Sequence, residues 1–312
     1  MIQYPTVVGP DADDDVNLRA LLDKLHAQHH HAICATLVYG SCLRTGDIYD
    51  GLLDLYLICT HYREAYHRRA LAAANWLLPP NVFYAEVSED ERTLRAKVTV
   101  ISFRDFQRGC SSAWFQSYIW GRFAQPTHIL HASSAPIREQ VEQSLLQAAH
   151  TLLHNALPLM HASGTVTHLW QHALGLSYST ELRTERSGRA AELAAESKSF
   201  YETVTRAQAA SLGQGFTVYD GDGELRYQNT INKSQRFAAT AAWFLRKVQG
   251  KLLSITRLVK ALFTFEGGLD YIAWKLQRHS GEQIVIPEKV RRAPLIYMWG
   301  FFWGLYRRGV FK

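Results

Sequence analysis

A chain of 312 residues, 47% of them hydrophobic, has room for about two domains with real cores, and this composition excludes wholesale disorder. Its net charge of +6 is unevenly spread: residues 241–312 carry 13 Lys/Arg against 4 Asp/Glu, a net of +9, and the rest carries 21 against 24, a net of −3. A near-neutral body with a basic, aromatic tail points to an anionic surface as partner, and no apolar stretch approaches the about 20 residues that span a bilayer, so a peripheral or soluble chain is expected.

The amino terminus, Met1-Ile2-Gln3-Tyr4-Pro5, has no basic region followed by an apolar core, and no secretory signal is expected. Residues 11–31 read as an amphipathic helix, with Val16, Leu18, Leu21, Leu22 and Leu25 at helical spacing after the acidic run from Asp11 to Asp15. Its end holds His26, His29, His30 and His31; only His26 and His30 share a face, so a solvated helix end is expected rather than a metal site. Residues 32–39 form a β-rich apolar run closed by Gly40-Ser41. After a turn-rich loop, residues 52–59 read as a second buried strand carrying Asp54. A helix is expected over 61–78, ending before Pro79-Pro80, with strands over 82–87 and 95–102. An aromatic-rich helix is expected over 105–123 and mostly helical structure over 137–208. A turn is expected at Asp220-Gly221-Asp222-Gly223, whose spacing does not suit a calcium loop. The four cysteines, Cys34, Cys42, Cys59 and Cys110, show no CxxC pair and no zinc-ligand spacing; three of them lie in or beside apolar runs, where free cysteine is a small buried hydrophobe, and a reduced, intracellular compartment is expected.

The chemistry concentrates where a strand ends in Gly40-Ser41 and, after twelve intervening residues (Cys42 to Leu53), a second strand carries Asp54. Glycine lets backbone approach a triphosphate, the serine hydroxyl and adjacent amides can bond phosphate oxygens, and an aspartate on the next strand can hold Mg²⁺ against the leaving pyrophosphate. That pattern is the core signature of nucleotidyltransferases related to DNA polymerase β. It usually continues with a second acid two residues after the first, but position 56 is Tyr56; Asp47, Asp50, Glu86 and Glu181 are the candidates to replace it.

Four ordered blocks resemble the mitochondrial-type phosphatidate cytidylyltransferases, the translocator assembly and maintenance family of CDP-diacylglycerol synthases, and the chain looks like a bacterial member. The blocks are Tyr39-Gly40-Ser41 with Leu53-Asp54-Leu55; Asn81 to Tyr84 with Lys97 to Ser102; Trp114, Tyr118-Ile119, Gly121-Arg122 and Pro126; and Gly175 to Arg183. The resemblance implies an α/β, polymerase β-like nucleotidyltransferase domain over 1–130, a helical, winged-helix-like domain over 131–240 and a basic amphipathic membrane-binding region over 241–312. It implies that CTP and phosphatidic acid give CDP-diacylglycerol and pyrophosphate, with Mg²⁺ or a similar divalent cation. Carried over by position, Gly40 and Ser41 would cradle the triphosphate, Asp54 and Glu181 would ligate the metal, Lys97 would meet a phosphate, and Arg122 and Arg183 would bind CTP or the lipid phosphate. Cys42 stands where the family usually has a second glycine, and Thr180-Glu181 replaces glycine-aspartate.

Trp114, Tyr118 and Trp120 are candidates to stack a cytosine, with packing the expectation for Trp120; Arg186, Arg189 and Lys198, beside Glu196, are candidates for phosphate or for a solvated face. The segment from Ala293 to Tyr306, flanked by Arg291-Arg292 and Arg307-Arg308, is too short to span a bilayer and suits an interfacial anchor; Lys251, Arg257 and Lys260 beside Leu252, Ile255 and Leu262 are expected to extend it. The expected location is the cytoplasmic face of an inner membrane, or the mitochondrial inner membrane, with no nucleic acid as partner. The alternatives are a nucleotidyltransferase of this fold acting on another acceptor, and a catalytically inactive lipid-binding relative.

Overall fold

The computed structural model describes residues 3–89, 91–181, 188–213, 215–230, 232–264 and 284–292, with isolated positions at 277, 297, 300, 301, 303, 304 and 307. Arg183 and Arg186 lie outside the described residues, as does most of the aromatic segment from Ala293 onward.

The fold is mixed α/β. Helix α1 (Val16–Gln28) starts where the Asp15 carboxylate accepts from the Leu18 amide, so the acidic run is mostly a preceding cap. Strands β1 (Ile33–Tyr39) and β2 (Leu53–Cys59) pair antiparallel, and β2 pairs parallel with β4 (Leu94–Ser102). Strands β3 (Asn81–Val87) and β5 (Thr127–Ala132) complete a five-stranded sheet in the order β3-β4-β2-β1-β5. Because side chains alternate along a strand, Leu53, Leu55 and Leu57 face α1 on one side of the sheet, and Asp54, Tyr56 and Ile58 face the other.

Two expected helices are broken. The segment 61–78 divides into α3 (Tyr62–Ala65) and α4 (Arg69–Leu77), because Tyr66 takes an extended conformation and its hydroxyl accepts from Asn75 in the core. The segment 105–123 divides into α5 (Phe103–Cys110) and α6 (Trp120–Phe123). There the Ser111 hydroxyl bonds the Arg108 carbonyl and accepts from the Ala113 amide, giving the backbone an alternative to helix. The short helix α2 (Cys42–Thr45) lies between β1 and β2. The histidine run is not a solvated helix end throughout: α1 stops at Gln28, His29 is buried with Nδ1 2.8 Å from the Ala65 carbonyl, and His30 and His31 have φ of 54° and 56°.

The boundary expected at 130 falls inside β5, and one hydrophobic cluster runs from Leu37 and Tyr56 through Phe106 and Trp120 to Leu145, Trp170 and Tyr201. Helix α7 (Ala135–Ala156) leads to β6 (Ser163–Thr165), α8 (Val166–Tyr178), α9 (Arg189–Glu196) and α10 (Lys198–Gln208), then to the hairpin β7 (Phe216–Gly221) and β8 (Glu224–Asn229). These three strands form an antiparallel sheet in the order β6-β8-β7. The expected turn joins β7 and β8: Asp222 and Gly223 have φ of 55° and 75°, the pair of positive values that a tight hairpin turn of matching twist requires.

Helix α11 (Lys233–Thr264) returns across the molecule, and a short α12 (Glu288–Arg292) follows. Trp243, Arg246 and Gly250 are buried against the body, while Phe237, Phe244, Leu245, Val248, Leu252 and Ile255 are exposed on the outer side. Arg257 and Lys260, expected on the outer surface with Lys251, instead turn inward. Their reason is unsatisfied backbone: Arg257 Nε donates to the Pro79 carbonyl at 3.4 Å, and Lys260 Nζ to the carbonyls of Leu78 and Pro80 at 2.5 and 2.6 Å. Among the described residues no helix is long and apolar enough to cross a membrane.

Gly250 is where α11 lies closest to the body, since a Cβ there would run into the Thr180 carbonyl. Gly250→Ala is expected to cost about 1–3 kcal/mol, as overpacking against backbone does. Urea unfolding of the variant beside the wild type measures it; no loss would show that α11 does not sit in this contact.

Candidate active site

Four strands bring the site together in one row. Tyr39 on β1 is opposite Asp54 on β2, Asp54 is opposite Lys97 on β4, and Lys97 is opposite Tyr84 on β3. The chain leaves β1 through Gly40, whose φ of 96° lies in the left-handed region, and the Asp54 carboxylate lies over it: a Cβ at position 40 would sit 3.1 Å from Asp54 Oδ2. Any side chain there would meet both strain and that oxygen. Ser41 follows, exposed, and its hydroxyl makes no capping bond to α2. The Arg44 Nη1 donates to the Gly40 carbonyl at 3.0 Å, and its Nε is 2.9 Å from Glu196 on α9, which braces the loop against the second sheet's helices. Cys42 does not intrude: its thiol is buried in the cluster on the opposite side of the sheet, and burial, then Asp54, pushes it up to about 12, so it stays protonated.

Asp54 and Lys97 form an ion pair at 3.6 Å, with side chains 28% and 36% exposed. Burial works against the Lys97 ammonium, but the Tyr39 hydroxyl and Asp54 outweigh it and hold its proton more tightly than usual. Tyr39 Oη donates to Asp54 Oδ1 at 3.5 Å, and burial pushes its own phenol up to about 12.

Next to this row lies Arg122, on α6. Its Nη1 is 3.2, 3.3 and 3.4 Å from the hydroxyls of Tyr39, Tyr56 and Tyr118, and its Nη2 donates to Glu181 Oε2 at 3.3 Å. The Arg122 and Glu181 side chains are only 7% and 10% exposed. Tyr56, at the position where the motif usually has its second acid, thus points to the same face as Asp54 and holds a guanidinium.

The two later sequence blocks meet residue against residue. Ser117 and Thr180 share a hydroxyl–hydroxyl bond of 2.7 Å, Gly121 has no room for a Cβ beside the Ser177 hydroxyl, Arg122 pairs with Glu181, and Tyr178 Oη donates to Gln125 at 3.2 Å. Gly121 is therefore a close-approach glycine that lets α8's end reach Arg122.

Of the acids considered as partners for Asp54, Asp47 pairs with Arg92 at 3.7 Å, Glu86 with Arg95 at 3.6 Å and Glu181 with Arg122. Among the described residues no group of three His, Cys, Asp or Glu side chains gathers to hold a metal. Arg189 pairs with Glu192 and Lys198 with Glu224, so these two cations sit on salt-bridged faces. Trp120 is fully buried against Trp243, with ring centroids 5.8 Å apart, and packs as expected.

Sequence reading missed the part played by Tyr118 and Arg257. The Arg257 guanidinium lies 4.0 Å from the Tyr118 ring centroid, and that of Arg122 lies 4.4 Å from it. Burial alone would raise the Tyr118 phenol, but Arg122, Arg257 and Lys97 together pull it below its ordinary value. Burial pushes Lys260 down to about 7, with Arg257 adding to the effect. The only sequence signal for Arg257 was its place on the inward stripe with Trp243, Arg246 and Gly250, legible once the core is known. A cavity of about 430 Å³ lies elsewhere, lined by Met160, His172, Gly175, Ser179 and Ala191, with no carboxylate in its wall among the described residues.

No family model matches the chain, and no curated protein is significantly similar to it. The Arg122–Glu181 pair makes its own prediction. Arg122→Met removes the cation that bonds a buried carboxylate and three hydroxyls, and is expected to cost about 3–5 kcal/mol. Adding Glu181→Gln should recover part of that loss, as urea unfolding would show; a double variant no more stable than Arg122→Met would mean the two side chains are not coupled.

Proposed function

We propose that the chain is a nucleotidyltransferase of the polymerase β-like kind that transfers a cytidylyl group from CTP to phosphatidic acid, giving CDP-diacylglycerol and pyrophosphate at a membrane surface. The observation that carries this reading is the positive-φ Gly40 with the Asp54 carboxylate over it, flanked by Lys97 and Arg122. A backbone turn free of side chain, next to a half-exposed carboxylate and two cations, is a place for phosphate oxygens. The mutual packing of the Ser117–Gln125 and Ser177–Glu181 blocks supports the same reading, because both belong to the resemblance. The order α7, β6, α8, α9, α10, β7, β8, with one helix more between β6 and β7 than a minimal winged helix needs, supports a winged-helix-like second unit.

Magnesium fits the donors only in part. Mg²⁺ keeps several waters and takes one or two carboxylates plus substrate phosphates, so Asp54 suits a one-carboxylate site, while Glu181 is held by Arg122. When bound there, the ion would neutralise charge on the triphosphate. The chain's own residues then do the rest. The Gly40-Ser41 amides and the Ser41 hydroxyl hold the triphosphate, and Lys97 and Arg122 offset charge that builds as the acceptor's phosphate oxygen attacks the α-phosphorus. The new P–O bond forms as the bond to the β-phosphate breaks, and pyrophosphate leaves. A phosphate acceptor is already ionised at neutral pH, so no general base is required. In this role Glu181 positions Arg122.

Radiolabelled CTP with phosphatidic acid and Mg²⁺ should yield labelled lipid, with CTP preferred over ATP, GTP and UTP. Asp54→Ala should lower the rate by about 10²–10³. No labelled lipid from folded protein across several metals and detergents would refute the reading; transfer to another acceptor would retain the fold and replace the substrate.

Peripheral membrane binding is proposed through the outer face of α11, with exposed Trp76 and Leu77 at the end of α4 alongside it. This surface is more apolar than expected, since Arg257 and Lys260 face inward and Lys247 and Lys251 remain outside. Leu252→Glu with Ile255→Glu should reduce co-sedimentation with phosphatidate-containing vesicles about tenfold or more, from the lost apolar burial. Unchanged sedimentation would place the membrane contact elsewhere.

A further inference from the structure

Three cations, Lys97, Arg122 and Arg257, converge around Tyr118, and two carboxylates, Asp54 and Glu181, accompany them. Arg246, one stretch earlier on the same helix face, is satisfied by the Phe115 carbonyl at 2.9 Å and Asn155 Oδ1 at 2.6 Å. Arg257 is bonded in the same way, to one backbone carbonyl and one side-chain amide, but it also shares the Tyr118 ring with Arg122. Its Nη2 donates to Gln116 Oε1 at 2.6 Å and its Nε reaches the Pro79 carbonyl, but among the described residues it pairs with no carboxylate. Burial holds it below the ordinary guanidinium value, so the fold keeps this charge in place at a cost. Two guanidinium groups on one aromatic ring repel each other; the Glu181 carboxylate offsets part of that repulsion, and a dianion would offset the rest.

We propose that Arg257, with Gln116 and Tyr118, forms the subsite for the phosphomonoester of the acceptor, so that helix α11 supplies part of the active site. This rests on the nucleotidyltransferase reading. The position favours the acceptor over the nucleotide. Gly40, Ser41 and Asp54 stand at one end of the contact chain, and Arg257 at the other, beyond Tyr39, Arg122 and Tyr118. Five and two residues before Arg257, Leu252 and Ile255 are 59% and 50% exposed on the outer face, a path for an apolar tail whose phosphate is held inside. A guanidinium with a side-chain amide beside it matches the planar, two-oxygen edge of a phosphate.

The test is titration calorimetry of the full-length chain with two probes, dioctanoyl phosphatidate and CTP, and inorganic phosphate as competitor. Arg257→Gln should weaken phosphatidate about tenfold, the loss of one charge-assisted contact, and leave CTP within about twofold. Arg257→Lys, which keeps the charge and loses the fork, should fall between. Inorganic phosphate should displace phosphatidate from the wild type, showing that the subsite reads the phosphate; failure to compete would assign the binding to the acyl chains and overturn the proposal. Weakened CTP with unchanged phosphatidate would give Arg257 to the nucleotide and overturn it, as would no change in either. Phosphatidate binding that depends on Arg257 in a protein that binds no CTP would uphold the subsite and sink the nucleotidyltransferase reading instead. A wild type that binds no phosphatidate overturns the subsite. Should Arg257→Gln not fold by near-ultraviolet circular dichroism, Gln116→Ala carries the test, with about a threefold loss of phosphatidate alone expected and no loss overturning it.

Discussion

A guanidinium taken almost wholly out of water must be met by oxygens, and the oxygens that meet Arg122 come from four separate parts of the chain. Tyr39 ends β1, Tyr56 lies mid-β2, Tyr118 sits in the loop after α5, and Glu181 follows α8. Each contact alone is ordinary. Together they fix where the Gly40 turn lies relative to the second sheet's helices, because Tyr39 is the last residue before that turn and also bonds Asp54. Removing the cation would take one partner from a buried carboxylate and from three hydroxyls at once.

The same cluster explains how the site manages charge without a second acid next to Asp54. Where a carboxylate would add a negative group, Tyr56 adds a neutral acceptor and anchors a positive one. Among the described residues the result is Lys97 and Arg122 beside Asp54, with Glu181 engaged by Arg122. On the proposed reading, phosphate charge is balanced mainly by side chains. Arg is suited to that work, because its charge persists when buried and its fork matches two oxygens at once.

Much of the sheet was legible in the sequence, since β1, β2, β3 and β4 are apolar runs of strand length bounded by turn residues, and the Gly40-Ser41 and Asp54 pairing followed from them. Strand β5 was not. It lies between Pro126 and a long helix, and its partly buried alternation has only Ile129 as a clear apolar anchor. The broken helices were missed for a local reason: periodicity continues through Tyr66 and Ser111, and only tertiary contacts show that one is pulled extended and the other bonds its own loop. The role of Tyr56 was missed because the motif asked for a carboxylate there; what the position holds is a hydroxyl serving an arginine 66 residues away.

Helix α11 reverses the arrangement that its composition implied. In a helix lying on a lipid surface, basic side chains are expected beside the apolar stripe, where they meet headgroups. Here Arg246, Arg257 and Lys260 occupy the side facing the body, and the exposed side is largely apolar. These three are ligands of backbone carbonyls and of the Tyr118 ring, while Lys247 and Lys251 stay exposed beside the apolar stripe. An apolar outer face and a cationic inner face on one helix would make the proposed surface binding and site assembly one structural event, because anything that lifts α11 removes Arg257 from Tyr118. On the proposed reading, an acceptor with an apolar tail and a phosphate head would meet both faces at once, and a free phosphate only one.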